Sequence, residues 1–321
     1  MNNSSGSERL IFVGGCPRSG TTLVQNMLDS HPDIFGGPEF LHLQDFIQLR
    51  KKLRRSISVG WIDLFCSYDD LDRHLRALVQ NLFLPLADRY GCRYMSEKSP
   101  MNVLVLSELT ELFPEAHFIH VIRDPRAIVS SMREVRTRAK QKKIDIPYFT
   151  ANISSSIAYT LRCFEAGFAA VEKAPDKILT IIYERLVEDS EKESKKICKF
   201  LGLEWDTQML TPQKKKHLGE KAITSNSDEI WYDVKTYYQD PHDKNIEKWK
   251  KRLSPIQQAR ITRVFKDYEE LRTFGYDFSL DSLSWIKRVF VTGFVVFLEF
   301  GRKLYMRFIS LARRILRKIP G

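Results

Sequence analysis

Eight residues constrain this chain more than any others. Gly15 to Thr22 read G-C-P-R-S-G-T-T, directly after the apolar run Leu10-Ile11-Phe12-Val13. A strand that runs through a glycine-bearing turn into a helix builds an anion cradle. Small residues let the backbone close around the anion, and the helix aims its N–H groups and positive dipole end at it. A nucleotide triphosphatase loop reads G-x-x-x-x-G-K-[ST]. Both glycines and the closing Thr22 are present here, but Thr21 stands where that lysine would reach a β- or γ-phosphate. The replacement points to a nucleotide with a shorter anionic chain. Arg18 inside the loop offers a planar fork for it, and Ser19, Thr21 and Thr22 add hydroxyl donors. An ordinary strand-to-helix turn needs one glycine, not Pro17-Arg18-Ser19-Gly20 followed by a double Thr.

Short apolar runs bounded by turn signals predict five strands, at Leu10–Val13, Ile34–Phe35, Cys92–Met95, His117–Ile122 and Ile178–Ile182. Helical patterns fall between them: one from Thr21 to before His31-Pro32, then Leu41–Arg55, Asp69–Tyr90, Met101–Phe113 and Ala127–Arg138. Further helices are read at Glu191–Leu201 and Pro255–Phe274, the latter stopped by Gly275. Alternating strands and helices predict an α/β fold, a three-layer sandwich around a central, mostly parallel five-stranded sheet like that of P-loop nucleotide triphosphatases. The reading divides the chain into a disordered 1–8, a domain over 9–280 and a tail over 281–321. Thr207–Asn245, polar and lysine-rich with Trp231, Tyr232, Tyr237 and Tyr238, reads as a long functional loop.

The formal net charge of +11 over 321 residues is unevenly spread. Nine basic residues and one acid lie in 285–321, so that stretch carries +8 and the rest of the chain +3. A mildly basic body argues against a nucleic-acid partner. The run Val289–Leu298 is too short to cross a bilayer, which needs about twenty residues. Beyond it, Leu304, Phe308, Leu311, Ile315 and Ile319 recur at helical spacing among basic residues. That is the pattern of a helix lying on an anionic membrane surface, each charge contributing about 1 kcal/mol. A helix that packs on the protein or forms a homodimer stays open. Five scattered cysteines with no C-x-x-C pair and a polar start predict a cytoplasmic protein, peripheral on the membrane, with neither disulfides nor metal.

A second motif reads R-D-P-R-A-I-V-S-S, residues 123–131. An apolar strand ends in Arg123, Asp124 is a good N-cap, and Pro125 suits the first helical position. Arg123 thus lies at the carboxyl end of a strand, where open α/β sheets bind ligands. Taken together, P-R-S-G-T-T and R-D-P-R-A-x-x-x-S resemble the sulfotransferase superfamily that uses 3′-phosphoadenosine 5′-phosphosulfate (PAPS). Resemblance runs from Leu10 to Leu203, and I-I-Y-E-R-L-V-E-D and E-K-W-K-K-R-L-S-P match further family blocks. The loop, with Arg where cytosolic members have Lys, is similar to that of tyrosylprotein and bacterial sulfotransferases. The resemblance implies that Arg18, Ser19, Gly20, Thr21 and Thr22 bind the 5′-phosphosulfate. It places Arg123 and Ser131 at the 3′-phosphate and Tyr183 near the adenine. Arg136 stands near the place of a further basic residue about one turn after the serine.

Two more residues carry the implied chemistry. Glu39, in G-G-P-E-F, matches the proposed general base of tyrosylprotein and heparan-type members, which takes the acceptor's proton as its oxygen attacks sulfur; cytosolic members use a histidine near the third strand end, and S-E-K-S-P has none. Lys98, in S-E-K-S-P, matches the lysine that stabilises charge on the leaving phosphate, alongside Arg18. Glu97 stays open as an alternative base. The expected activity is sulfuryl transfer from PAPS, without metal, to a hydroxyl or less commonly an amine of a glycan, lipid or peptide. Two rivals share the fold: a P-loop small-molecule kinase, and a non-catalytic nucleotide-binding protein that docks on membranes. His31, His117 and His120 read as structural residues rather than catalysts.

Overall fold

The computed structural model describes residues 6–218, 230–231 and 246–278. Residues 1–5 of the expected disordered start, most of the loop after 218, and the tail with its membrane and dimer readings lie outside the described residues. Strands β1 (Leu10–Gly15), β2 (Ile34–Gly36), β3 (Tyr94–Lys98), β4 (His117–Ile122) and β5 (Ile178–Ile182) form one sheet. Its order is β2-β3-β1-β4-β5, and every neighbouring pair is parallel.

Eight helices connect and cover the strands: α1 (Thr21–Ser30), α2 (Leu43–Ser58), α3 (Tyr68–Arg89), α4 (Leu106–Leu112), α5 (Pro125–Lys142), α6 (Ile153–Lys173), α7 (Tyr183–Glu188) and α8 (Ser190–Leu201). The two-residue period of a strand splits β1 between two cores. Leu10 and Phe12 pack with Leu43, Leu75, Phe83 and Leu109 of α2, α3 and α4. Ile11 and Val13 pack with Val24, Met27 and Leu28 of α1 and with Ile197 and Leu201 of α8. Burial on both faces explains why these strands read as unbroken apolar runs. Each such side chain contributes about 1.5–3 kcal/mol on leaving water. The three-layer α/β architecture read from the sequence is the one observed.

Local signals set the helix ends. Ser67 and Asp70 form a reciprocal capping box at the start of α3, and its buried residues then recur every four positions from Leu71 to Ala87. Asp124 caps α5 through the Arg126 N–H at 2.7 Å, with Pro125 in the first turn. Several elements differ from expectation. β3 runs to Lys98 rather than stopping at Met95, because polar residues at a sheet's carboxyl edge serve a site instead of a core. The predicted Met101–Phe113 helix begins as 3-10 turns over Pro100–Val105 before α4. The 21-residue α6 was not anticipated at all. Its Gly167 sits where a Cβ would lie 2.3 Å from the His120 ring, so close packing, not helix propensity, selects the glycine.

The chain divides into two compact units after Ile246. Within the second unit, Ser254 and Gln257 form another capping box, and Pro255–Phe265 and Glu269–Thr273 are separate helices rather than one. Gly275, at φ 96°, follows them as the expected stop. Among the described residues, no helix is long and apolar enough to cross a membrane.

Candidate active site

Each of the five strands delivers one predicted site residue near its carboxyl end. β1 leads into Arg18, β2 into Glu39, β3 ends in Lys98, β4 leads into Arg123, and β5 into Tyr183. Parallel register lines these ends up, with Val13 beside Lys98 and Gly15 beside Val121. Ligands of open α/β sheets bind at this edge.

The first loop is shaped by its backbone. Arg18 adopts φ 80° and Gly20 φ 100°, both left-handed. For Arg18 that costs about 1–2 kcal/mol, strain of a kind that gathers at functional loops. The Ser19 N–H donates to the Cys16 carbonyl at 2.9 Å, closing the turn. A side chain at Gly20 would meet the Tyr183 ring at 2.2 Å, and one at Gly15 the Val121 carbonyl at 2.5 Å, so both glycines are required by space. The Ser19 hydroxyl is fully buried in this turn and finds no hydrogen-bond partner among the described residues. An orphaned buried donor beside a helix N-terminus fits an anion.

Arg18 joins this loop to the second motif. Its Nε donates to Ser131 Oγ at 3.0 Å and its Nη1 to the Trp231 carbonyl at 2.6 Å. Arg123 Nη1 donates to the Arg18 carbonyl at 3.1 Å, and its guanidinium lies 4.2 Å above the Tyr183 ring. Arg18, Arg123, Ser131 and Tyr183 therefore form one cluster. Arg136 is five residues beyond Ser131, about 140° round the helix. Arg138, seven residues on, shares the Ser131 face and was missed. It donates to the Ile230 and Trp231 carbonyls at 2.6 and 3.3 Å. The seven-residue spacing was the available signal.

On the other side of the loop, Lys98 is buried, and its Nζ donates to Thr22 Oγ1 at 3.1 Å and forms an ion pair with Glu39. The predicted base and the predicted cation thus meet beside the first loop. Glu97 does not join them. It follows Ser96 and precedes Lys98, so it faces the opposite side of the sheet. Its carboxylate is 1% exposed and accepts from Asn102 Nδ2 at 2.7 Å, Ser99 Oγ at 2.5 Å and the Phe40 N–H at 3.0 Å. Burial pushes the Glu97 carboxyl above its ordinary value, with those hydrogen bonds opposing. Ser99 and Asn102 carried no sequence signal.

The histidines fill structural places. His31 ends α1, and its Nε2 meets the Glu204 carbonyl at 2.8 Å. His120 is fully buried, and burial alone lowers its pKa to about 4. All five cysteines are free thiols. Among the described residues, no three His, Cys, Asp or Glu side chains form a metal cluster.

Known proteins resemble this chain in sequence and in fold. A sequence model of the Sulfotransferase family matches residues 10–207, well over half of the chain. Protein-tyrosine sulfotransferase A of Caenorhabditis elegans is 26% identical over 83% of the chain and 67% of its own length. Protein-tyrosine sulfotransferase 1 of Danio rerio is 31% identical over 63% of the chain, which spans 55% of that relative. In architecture, the sulfotransferase domain of the Synechococcus PCC 7002 olefin synthase superposes over 84% of this chain and 94% of its own. The TM-score is 0.52 at 21% identity, a likeness of fold.

Proposed function

The chain belongs to the sulfotransferase family, and from that premise we propose that it moves a sulfuryl group from PAPS to the phenolic hydroxyl of a tyrosine in a peptide or protein. The observation that carries this reading is Lys98 Nζ, bridging Thr22 of the anion loop and Glu39. When bound, the donor supplies an electrophilic sulfur and a phosphate leaving group. The first loop, with the buried Ser19 hydroxyl and the N-terminus of α1, would hold its 5′ end. Arg123 and Ser131 would hold its 3′-phosphate and Tyr183 would flank the base, while Arg18, hydrogen-bonded to both, would stay with the first loop at the 5′ end.

Glu39 takes the acceptor proton as the new O–S bond forms. Lys98 turns its charge from Glu39 to the oxygen on which negative charge develops, which also frees a Glu39 lone pair. Preorganised cations of this kind contribute about 10²–10³ in rate. The scheme assigns no role to a metal. A phenol suits this base. A carboxylate is weak, and tyrosine, with a pKa of about 10, gives up its proton more readily than a sugar or lipid alcohol. The similarity to protein-tyrosine sulfotransferases supports the same acceptor.

Labelled PAPS offered with tyrosyl peptides, glycans and sterols in parallel tests the reading. We expect label on tyrosine, and a loss of about 10²-fold or more in Glu39→Gln, with binding of adenosine 3′,5′-bisphosphate retained. Sulfation of a sugar but not of any tyrosyl peptide would overturn the acceptor. Phosphate transfer from ATP would favour the kinase instead.

A further inference from the structure

Glu39 stands on a loop with no helix directly behind it. Residues 37–42 separate β2 from α2, and Leu41 in that stretch holds φ 63°, a left-handed conformation costly for a leucine. Something must hold the loop in that shape, and the contacts identify it. The Phe40 N–H donates to Glu97 Oε1 at 3.0 Å, and the Leu41 N–H donates to Ser99 Oγ at 3.1 Å. Ser99 Oγ in turn donates to the same Glu97 oxygen at 2.5 Å. The other Glu97 oxygen accepts from Asn102 Nδ2, which also donates to the Val13 carbonyl at 3.2 Å. One buried carboxylate thereby links the end of β1, the end of β3 and the two residues that follow Glu39.

We propose that Glu97 is a positioning residue: it clamps the Phe40–Leu41 backbone and so holds the Glu39 carboxylate against Lys98. The proposal rests on the catalytic reading of Glu39 and adds to it a device in the neighbouring layer. Burying a carboxylate is costly, and here the cost is offset by three donors, two of which come from or lead to the loop itself. The face alternation of β3 makes the arrangement possible. One strand presents Lys98 to the reacting side and Glu97 to the far side, where it reaches around the strand end to the loop backbone. A loop displaced by about 1 Å at a reacting group costs about 10²-fold in rate.

Three variants of the full chain, each checked for folding by thermal denaturation, test this. Glu97→Ala removes the clamp. Turnover should fall about 10²-fold, adenosine 3′,5′-bisphosphate affinity should stay within about twofold, and amide exchange at Phe40 and Leu41 should rise at least about tenfold. Glu97→Gln keeps an oxygen for Phe40 and Ser99, so it should retain turnover within about fivefold of the parent. A group that accepts the proton would not survive that change. Glu97→Gln as inactive as Glu39→Gln would overturn positioning in favour of a base. Full turnover and unchanged exchange in Glu97→Ala would overturn the clamp. If Glu97→Ala fails to fold, Ser99→Ala carries the same test, with faster exchange at Leu41 and a loss of a few-fold in turnover expected, and no change overturning it. Undiminished turnover in Glu39→Gln sinks the catalytic reading of Glu39, whereas the exchange measurement still judges the clamp.

Discussion

The loop after β1 and the loop after β2 leave the same sheet edge, yet they keep their shapes by different means. The first is fixed by its own backbone conformation and by groups packed directly against its glycines. Its left-handed residues, its glycines pressed against Tyr183 and Val121, and the helix that starts at Thr21 lie within a few residues of one another or directly beneath. The second is fixed from a distance. Gly36 N–H donates to Asp29, Gln25 reaches the Gly37 carbonyl, the Phe40 ring packs edge-on to Phe83, and Glu97 and Ser99 hold the Phe40 and Leu41 amides. The first loop relies on backbone conformation and close packing, with Arg123 of the second motif donating to the Arg18 carbonyl. The half that carries Glu39 depends on side chains nearly sixty positions away, so damage to it can originate well outside it.

Lys98 belongs to both halves, and its removal should do the most harm. Lys98→Ala should lower single-turnover sulfuryl transfer about 10³-fold. A loss below about tenfold would mean that neither half relies on it. Gly20→Ala should separate the halves. A left-handed alanine that also displaces the Tyr183 ring should weaken adenosine 3′,5′-bisphosphate binding about 10²-fold by calorimetry. Amide protection at Phe40 should be unaltered, and joint loss of both would show that the two loops are not held independently. The smallest effect should be common to both halves, since it concerns the sheet beneath them. His120 is neutral and buried, with its pKa lowered to about 4. The unfolded chain therefore binds the proton first as pH falls, and stability is lost from about pH 6.5 downwards toward 4. Denaturant titrations should show about 2 kcal/mol less stability at pH 5 than at pH 7 from this group, a slope that His120→Leu flattens. Equal slopes in both proteins would remove His120 from the account.

The sheet was legible because its strands are buried on both faces and read as apolar runs, and the turn after β1 because its glycines are dictated by space. Glu39, Lys98 and Arg123 could be named because each lies at a strand end within a recognisable motif. The rest failed for identifiable reasons. The Ser96-Glu97-Lys98 end of β3 carries the polar residues of a site, so a hydrophobic criterion cuts the strand short. α6 has three serines directly after its opening Ile153 and carries Gly167 to accommodate His120, and both weaken a helical pattern that the core enforces. Asn102, Ser99 and Arg138 act on residues far away in sequence, Val13, Leu41 and Trp231 among them, and no local spacing records such partners.

The alternation along β3 also affects how preparations of the protein are judged. A slip of one position between β3 and β1 would exchange Lys98 and Glu97, setting a carboxylate against Thr22 and an ammonium among the Asn102 and Ser99 dipoles. Such a molecule would keep most of its helical content and pass a circular dichroism check while transferring nothing. Active-site counting, rather than spectroscopy, is therefore the measure of how many molecules in a sample have matured correctly.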